Sequence, residues 1–310
     1  MNILLSIAPV FVLICLGYVL RRGGIPSTEF WNLNDRLVYF LLMPALFFVR
    51  ISTADLSGAT LIPLAGTLYA GFFLALGFGV LAGRALRRDG AVASSVMQGA
   101  GRFNTFIALA VAEALYGVAG LQIAVLAAAL LVPVVNLSVV SLFAVMLPQP
   151  GKRPVLTALK GLATNPLILS ILAGIAANLM GWGEVPVLHD SLAILGAAAL
   201  PIMLLCVGAN LKLRGLSADA LPILASGLGK LVLFPAVVAG LALAIGLDPM
   251  QAQIALIYGA LPTGVAAYTL ARQLGGDAPL MAAMITVQTL VSFATLPIWI
   301  AVGEALFLSF

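Results

Sequence analysis

Long apolar runs separated by short polar connectors make up nearly the whole chain. Each run is near the ~20 residues that a helix needs to cross the hydrocarbon core of a bilayer. Strands of an outer-membrane barrel would instead alternate polar and apolar positions, and the runs lack that alternation. The pattern predicts an all-α integral membrane protein with ten transmembrane helices. The runs cover roughly residues 3–20, 31–49, 59–83, 94–116, 120–147, 164–181, 188–211, 217–246, 250–273 and 279–303.

Two of these runs, the fourth and the ninth, are interrupted at matching places in the two halves of the chain. Residues 98–105 include Gly99, Gly101 and Asn104, and residues 258–264 include Pro262. A pair of Gly- or Pro-interrupted apolar segments in corresponding positions points to the binding site of a secondary transporter. Unwound backbone at membrane depth is tolerated only where it is buried in protein or lines a cavity. We therefore expect helices 4 and 9 to be broken and to cross at a substrate site.

The two halves of the chain are similar in the placing of their prolines and glycines. Five helices per half is an odd number, so the second half enters the membrane with the opposite topology, which predicts an inverted repeat. The predicted division is a first repeat over 1–147, a cytoplasmic connector over 148–163 and a second, inverted repeat over 164–310. At one constant offset of 157 residues, Pro9, Gly17 and Pro44 match Pro166, Gly174 and Pro201.

Composition narrows the class of protein. The chain of 310 residues is 63% hydrophobic and 8% charged, against about 25% charged residues in soluble domains. The net charge is +4, but the basic residues are scattered over short loops without a patch, so nucleic acid is not a predicted partner. Cys15 and Cys206 lie in apolar runs and are interpreted as buried small hydrophobes. No metal site is predicted.

Basic residues concentrate in alternate connectors, and the positive-inside rule then places both termini outside the cytoplasm. The connectors concerned hold Arg21 and Arg22; Arg84, Arg87 and Arg88; Lys152, Arg153 and Lys160; Lys212 and Arg214; and Arg272.

Three short motifs, in this order and spacing, resemble the auxin efflux carrier family, including its bacterial malate- or malonate-permease members. They are residues 7–18 with Pro9 and Gly17, residues 42–46 around Pro44, and residues 261–264 followed by Ala271. The resemblance implies ten helices in two inverted five-helix repeats, similar to bile acid–sodium symporters, with a transport part and a scaffold part that can dimerise. It also implies a crossover of helices 4 and 9 marked by Asn or Pro, which Asn104 and Pro262 match. The resemblance to the bacterial members implies the inner membrane of a bacterium as the location, and the long central loop of the plant carriers is missing.

Charged residues within the apolar runs are functional-site hypotheses, because charge is unfavourable in lipid. Arg102 lies two residues before Asn104, and its guanidinium suits bidentate binding of a carboxylate. It could equally pair with another side chain or reach an interface. Glu113 and Lys230 are candidate coupling groups, and Glu113 could alternatively lie near the outer surface. The candidate substrate-binding residues are Arg102, Asn104, Thr105, Pro262, Thr263, Gly264 and Gln288.

Together these features predict a secondary active transporter of a small organic anion, a carboxylate of auxin-like or malate- or malonate-like kind, working by alternating access. No cofactor is predicted, and coupling to H⁺ or to Na⁺ is left open. A sodium-coupled symporter of bile-acid type is the main alternative, with oxygen ligands from Asn104, Thr105, Thr263 and Gln288. A channel or a sensor is a further alternative. An enzyme is disfavoured, since paired acids and metal-ligand spacings are missing at membrane depth.

Overall fold

The computed structural model describes residues 3–147, 154–212 and 219–308, and all regular structure in these ranges is helical. Of the basic residues used above for orientation, Lys152, Arg153 and Arg214 lie outside the described ranges. The helices are α1 (Ile3–Arg22), α2 (Thr28–Leu37), α3 (Met43–Ser52), α4 (Gly58–Ala85), α5 (Gly90–Gly101), α6 (Thr105–Met146), α7 (Pro154–Ala163), α8 (Pro166–Leu179), α9 (Leu188–Ala209), α10 (Ala220–Leu228), α11 (Phe234–Ile245), α12 (Pro249–Ala260), α13 (Ala266–Leu274) and α14 (Ala278–Phe307).

Non-helical backbone is found at both predicted interruptions. Helix α5 ends at Gly101 and α6 begins at Thr105, with Arg102 extended at φ −71° and ψ 156°. Helix α12 ends at Ala260 and α13 begins at Ala266, with Leu261 extended at φ −69° and ψ 152°. Each interruption therefore separates two half-helices and exposes backbone N–H and C=O groups at their ends.

The two half-helices that lead to the interruptions begin at matched caps. The carboxylate of Asp89 accepts a hydrogen bond from the N–H of Val92 (2.8 Å), and that of Asp248 accepts from Met250 (3.0 Å). Helices α5 and α12 each have 12 residues, which is about 18 Å at the α-helical rise. Since a hydrocarbon core is ~30 Å thick, the interruptions fall near its middle if the caps lie at its surface.

Two π-helical turns, Val38–Leu42 and Gly229–Leu233, interrupt other helices and are each followed by a proline. Pro44 and Pro235 stand in the first turn of α3 and α11. Proline has no N–H to donate, and its ring clashes with the preceding turn of a helix. The wider π-helical turn before each proline gives the ring more room. The second of these turns carries Lys230, which is discussed below.

Helix α6 is kinked at Gly117, where φ is 58° and ψ is −147°. This backbone is accessible to glycine and unfavourable for residues with a Cβ. The kink divides α6 into a short half-helix after the first interruption and a longer helix that follows it. The sequence predicts two segments here, over 94–116 and 120–147, with a connector at Gly117.

The helices pack in two groups. In the first, α1 lies against α9, and α3 lies against α8 and α9; in the second, α4 contacts α5 and α11, and α12 contacts α11 and α14. Helices α1 and α9 approach closely because each offers a glycine to the other. A Cβ at Gly17 would overlap the backbone of Leu205, and one at Gly208 would overlap that of Ile14. Such small residues allow helix backbones to meet in membranes.

Six helical stretches within the described ranges are long and apolar enough to cross a membrane. Large apolar side chains are also exposed along the helices, among them Leu5, Leu179 and Ile194, as expected for surfaces that contact lipid rather than water. The fold is thus that of an all-helical integral membrane protein. The count of ten spans and the inverted relation of the halves remain predictions. The six stretches are Ile3–Arg22, Gly58–Ala85, Gly90–Met146, Leu188–Ala209, Ala220–Ile245 and Ala278–Phe307.

Candidate functional site

The two interruptions touch each other directly. The backbone N–H of Asn104 donates a hydrogen bond of 2.8 Å to the carbonyl oxygen of Pro262. A Cβ placed on Gly264 would lie 2.7 Å from the carbonyl oxygen of Phe103, which is too close for any larger residue. These contacts define a crossover of four half-helix ends, α5, α6, α12 and α13, and we use that word for it below.

Asn104 caps the half-helix that follows it. Its side-chain Oδ1 accepts from the N–H groups of Phe106 (3.1 Å) and Ile107 (3.3 Å), so two of the free donors at the start of α6 are satisfied. The side chain is 1% exposed. Its Nδ2 is buried, and within the described ranges it has no hydrogen-bond partner. A buried amide with an unused donor is unfavourable unless another group accepts from it.

Thr263 and Gln288 tie the second interruption to the end of α5. The Oε1 of Gln288 accepts from the backbone N–H of Thr263 (3.0 Å), and its Nε2 donates to the carbonyl of Gly99 (3.1 Å). The Thr263 hydroxyl lies 2.7 Å from both Gly99 O and Gln288 Oε1, and its single proton serves one of them at a time. Backbone groups freed by both interruptions are therefore satisfied by one side-chain network.

Two further buried polar side chains bond the half-helices. Gln98 Nε2 donates to the carbonyl of Ala267 in α13 (3.2 Å). The ammonium of Lys230 donates to the carbonyls of Tyr258 (3.1 Å) and Gly259 (2.7 Å), at the end of α12. Since the last carbonyls of a helix have no partner within it, Lys230 satisfies groups that the interruption leaves free at the end of α12. Gln98 instead joins α5 to the first turn of α13.

A cavity of about 910 Å³ lies beside the crossover, between α1, α2 and α9 on one side and α6, α13 and α14 on the other. Among the residues that the structure describes, five basic side chains and one acidic side chain line it: Arg21, Arg36, Arg102, Lys212, Arg272 and Asp35. A cleft with one predominant sign of charge and low-dielectric walls concentrates ions of the opposite sign. The cavity is therefore suited to an anion.

Arg102 connects this cavity to the crossover. It is the first residue after α5, it lines the cavity, and its Nη1 donates to Oδ1 of Asn136 (3.0 Å). A guanidinium has five N–H donors, and the bond to Asn136 is the one side-chain hydrogen bond of Arg102 within the described ranges. The remaining donors are available to a carboxylate in the cavity.

The N-terminal end of α13 also opens into the cavity. Its N-cap residue Val265 provides no side-chain cap, and Val265 and Ala266 both line the cavity. The first N–H groups of a helix carry partial positive charge and bind anions. The N–H groups of Ala267 and Tyr268 donate to the carbonyls of Gly264 (3.0 Å) and Val265 (3.2 Å), so this helix end contributes mainly its partial positive charge. Arg102 and the end of α13 thus both make the cavity more positive, from the two sides of the crossover.

Polar contacts also join helices at the cavity wall. Arg21 donates to Asn210 Oδ1 (3.0 Å), and Asn210 Nδ2 donates to Asp35 Oδ2 (3.1 Å), which links α1, α9 and α2. The Lys212 ammonium lies 4.1 Å from the ring centroid of Tyr268 in α13. The sequence reasoning missed Arg21, Lys212 and Arg272 as cavity residues because it used them only to orient the chain, and it did not identify Arg36 as a site residue.

The structure brings most of the predicted site residues together. Asn104, Pro262, Thr263, Gly264 and Gln288 meet at the crossover, and Arg102 lies between the crossover and the cavity. Their roles in binding remain predictions.

Three other predicted residues do not line the cavity, although Thr105 and Lys230 lie at half-helix ends of the crossover. Thr105 begins α6 and is partly exposed, and Lys230 contacts the end of α12. Glu113 is exposed, four residues before the kink at Gly117, and does not line the cavity. Within the described ranges, no group of His, Cys, Asp or Glu side chains could hold a metal ion.

Known proteins similar to this chain are transporters. The profile of a family described as "Membrane transport protein" matches residues 2–300. The chain is 31% identical over 303 residues to the "Putative malonate transporter" of Rhizobium meliloti, covering 93% of this chain and 92% of that protein. It is 26% identical over 310 residues to an "Uncharacterized transporter" of Methanothermobacter thermautotrophicus, covering 95% of this chain and 96% of that protein. The chain therefore belongs to the membrane transport protein family, the auxin efflux carriers that its motifs resemble.

Proposed function

We propose that this protein is a secondary carrier of a small organic anion, a mono- or dicarboxylate such as malonate, and that the crossover and the basic cavity are its substrate site. The observation that carries the proposal is the convergence of Arg102 and the uncapped end of α13 on one cavity with five basic side chains. A carboxylate is planar, and it matches the two parallel N–H groups of a guanidinium. The name of the relative from Rhizobium meliloti points to the same class of substrate.

The mechanism we propose is alternating access. One packing group, α1, α3, α8 and α9, would move against the other, which contains the crossover helices. The cavity lies between α1 and α9 of the first group and α13 and α14 of the second, so such a movement would close it. This mechanism rests on the proposed inverted repeats over 1–147 and 164–310, joined by the connector at 148–163, since a broken pair of helices in such repeats holds the substrate of many carriers.

The orientation follows from the basic connectors. Arg21, Lys212 and Arg272 line the cavity and belong to connectors that the positive-inside rule assigns to the cytoplasm. In this proposal the cavity opens inward, both termini lie outside the cytoplasm and the membrane is a bacterial inner membrane. A homodimer formed through the scaffold part is also proposed, from the family resemblance alone.

Coupling to sodium as in a bile-acid symporter is supported less well. A sodium ion needs several oxygen ligands, and the side-chain oxygens of the candidates Asn104 and Gln288 already accept hydrogen bonds from donors of the chain. The Gln288 oxygen accepts from Thr263 N–H, and the Asn104 oxygen accepts from Phe106 and Ile107. The observations therefore favour an anion site formed by donors over a cation site formed by these oxygens.

Uptake of labelled malonate into proteoliposomes tests the proposal, with Asn104→Ala and Pro262→Ala as site variants. We expect saturable uptake by the parent protein, with inhibition by other small dicarboxylates, and slower uptake by both variants. Thermal melting of the purified protein across a panel of carboxylates gives a second measurement. If no carboxylate raises the melting temperature and none is taken up, the substrate class is wrong. If both variants transport like the parent, the site is wrong.

A further inference from the structure

A buried lysine lies at the end of half-helix α12. Lys230 belongs to the π-helical turn Gly229–Leu233 and is 0% exposed. Its ammonium lies 3.1 Å from the carbonyl oxygen of Tyr258, 2.7 Å from that of Gly259, and 4.0 Å from the ring centroid of Phe234. An ammonium has three N–H donors, and two carbonyls with one aromatic face accommodate all three.

The ammonium is compensated by backbone rather than by an acid. Within the described ranges the one ion pair is that of Arg88 with Asp219. The C-terminal end of a helix carries partial negative charge on carbonyls that lack a partner. Lys230 meets this charge at Tyr258 and Gly259, just before α12 ends at Ala260. The positive charge of Lys230 therefore lies at the helix end whose carbonyls attract a cation.

The matching end of α5 is satisfied without any charge. The carbonyl of Gly99 accepts from the neutral donors Thr263 and Gln288. Donors are thus needed at both interrupted ends, but a net positive charge is not needed for stability alone. Since a buried charge is unfavourable in a membrane protein and marks function by default, the charge of Lys230 calls for a reason beyond hydrogen bonding.

We propose that the Lys230 ammonium is a tethered cation that permanently occupies a carbonyl-lined site for a small monovalent cation at the crossover. Backbone carbonyls are the ligands that hard monovalent cations and ammonium ions share. The structure holds this position with its own side chain, so no diffusible sodium ion is required there. The consequence for transport rests on the proposed function, but occupancy of the site does not.

The first experiment measures stability alone. Melting temperatures of the purified parent, Lys230→Ala and the control Lys160→Ala are compared in choline, sodium, ammonium and methylammonium chloride at about 100 mM; Lys160 is an exposed lysine of α7. A cation that binds only the folded protein raises its melting temperature. We expect ammonium, methylammonium or sodium to raise that of Lys230→Ala by about 3 °C or more relative to choline. The parent and Lys160→Ala should show no such cation-specific rise.

The second experiment measures malonate uptake in the same salts. We expect the parent to transport equally in sodium and choline, and Lys230→Ala to transport at least about tenfold more slowly in choline, with recovery in the cation that stabilises it. Lys230→Met, which keeps the volume of the side chain but not its charge, should transport as slowly as Lys230→Ala in choline and should not recover with any added cation, because its side chain fills the space that the cation would occupy.

Three results would overturn the inference: a parent that needs sodium, a Lys230→Met variant that transports like the parent, or a Lys230→Ala variant that no cation stabilises. Absence of malonate uptake by the parent would count against the proposed function instead, and would leave the melting comparison as the test of the cation site.

Discussion

The backbone N–H of Asn104 donates to the backbone carbonyl of Pro262 across 2.8 Å, so the two interrupted helices are joined main chain to main chain. Proline cannot donate, but its carbonyl accepts normally. The residue that helps to interrupt one helix therefore receives a donor freed by the interruption of the other. The contact requires that no side chain separates the two segments. Gly264 has no side chain, so the backbone beside it can approach the carbonyl oxygen of Phe103.

Gly264→Ala is expected to disrupt this contact. The new Cβ would lie 2.7 Å from the carbonyl oxygen of Phe103, and relief requires a shift of backbone rather than of a side chain. We expect a loss of about 1–3 kcal/mol in stability, the usual effect of overpacking, together with slower transport. Melting temperature and malonate uptake measure the two effects.

Gly240→Ala is the matched control for that variant. Gly240 lies within α11, and a Cβ there meets nothing within 4 Å. The substitution should leave stability and uptake unchanged or improve them slightly, because alanine favours helix more than glycine does. Equal behaviour of Gly264→Ala and Gly240→Ala would show that the close approach at the crossover is not needed.

Gln288→Leu is expected to leave a buried donor without a partner. The substitution removes the acceptor of the Thr263 N–H and one donor to Gly99 O, while keeping most of the side-chain volume. An unsatisfied buried group costs about 1–3 kcal/mol, so the melting temperature should fall. Gln122→Leu is the control, since Gln122 donates at the surface to Thr53 O, where water can replace it. Similar melting of the two variants would contradict the structural role of Gln288.

The two interruptions, between α5 and α6 and between α12 and α13, could be predicted because glycine and proline act locally. Pro262 removes a donor wherever it stands, and Gly99 and Gly101 weaken helix regardless of their neighbours. The position of Asn104 at a helix start follows from the same local chemistry, since its short amide caps free N–H groups. These features need only the sequence within a few residues.

The cavity could not be predicted in this way, because it depends on which helices lie opposite one another. Arg36 and Arg272 are far apart in the chain, and only the packed structure shows that both line the cavity with Arg102. The partner of Arg102 was left open by the sequence for the same reason, and the structure identifies Asn136. Lys230 appeared in the sequence as an isolated charge, and its partners are backbone carbonyls that no residue pattern reveals.

Asp55, in the connector before α4, is expected to give a small pH dependence of stability. Hydrogen bonds from the N–H of Ser57 and from the hydroxyls of Thr60 and Ser57 lower the pKa of its carboxyl below the ordinary value for aspartate. A lowered pKa stabilises the folded protein above the unfolded pKa, and this contribution is lost as the pH falls through the folded pKa. Asp55→Asn should therefore have a lower melting temperature than the parent at neutral pH. The difference in melting temperature should become smaller as the pH falls below about 4.

The donors to Asp55 supply the control for that prediction. Thr60→Val removes the hydroxyl that lies 2.8 Å from Asp55 Oδ2. In that background Asp55→Asn should lower the melting temperature by less at neutral pH, because fewer hydrogen bonds favour the ionised carboxylate. If the parent and the Asp55→Asn variant differ in melting temperature by the same amount at every pH, the charge of the carboxylate is not what stabilises this connector.

Arg102→Gln tests whether the guanidinium binds the substrate. Glutamine retains a donor that can reach toward Asn136 but removes the positive charge and the paired N–H groups. Since a hydrogen bond to a charged group contributes about 1.5–3 kcal/mol, the KM for malonate should rise by about 10- to 100-fold. Arg102→Lys should have a KM for malonate between those of Arg102→Gln and the parent, because an ammonium keeps the charge but cannot bind a carboxylate in bidentate fashion.

The control for Arg102 is Arg84→Gln, which removes the same charge from an exposed position in the last turn of α4, outside the cavity. Its KM should match that of the parent, which separates a local contact from a general loss of positive charge. The melting temperature of Arg102→Gln without substrate should change little relative to the effect on KM, whereas malonate should no longer raise it. A variant that binds malonate as the parent does, measured by that shift, would leave Arg102 as a structural partner of Asn136 and place the anion elsewhere in the cavity.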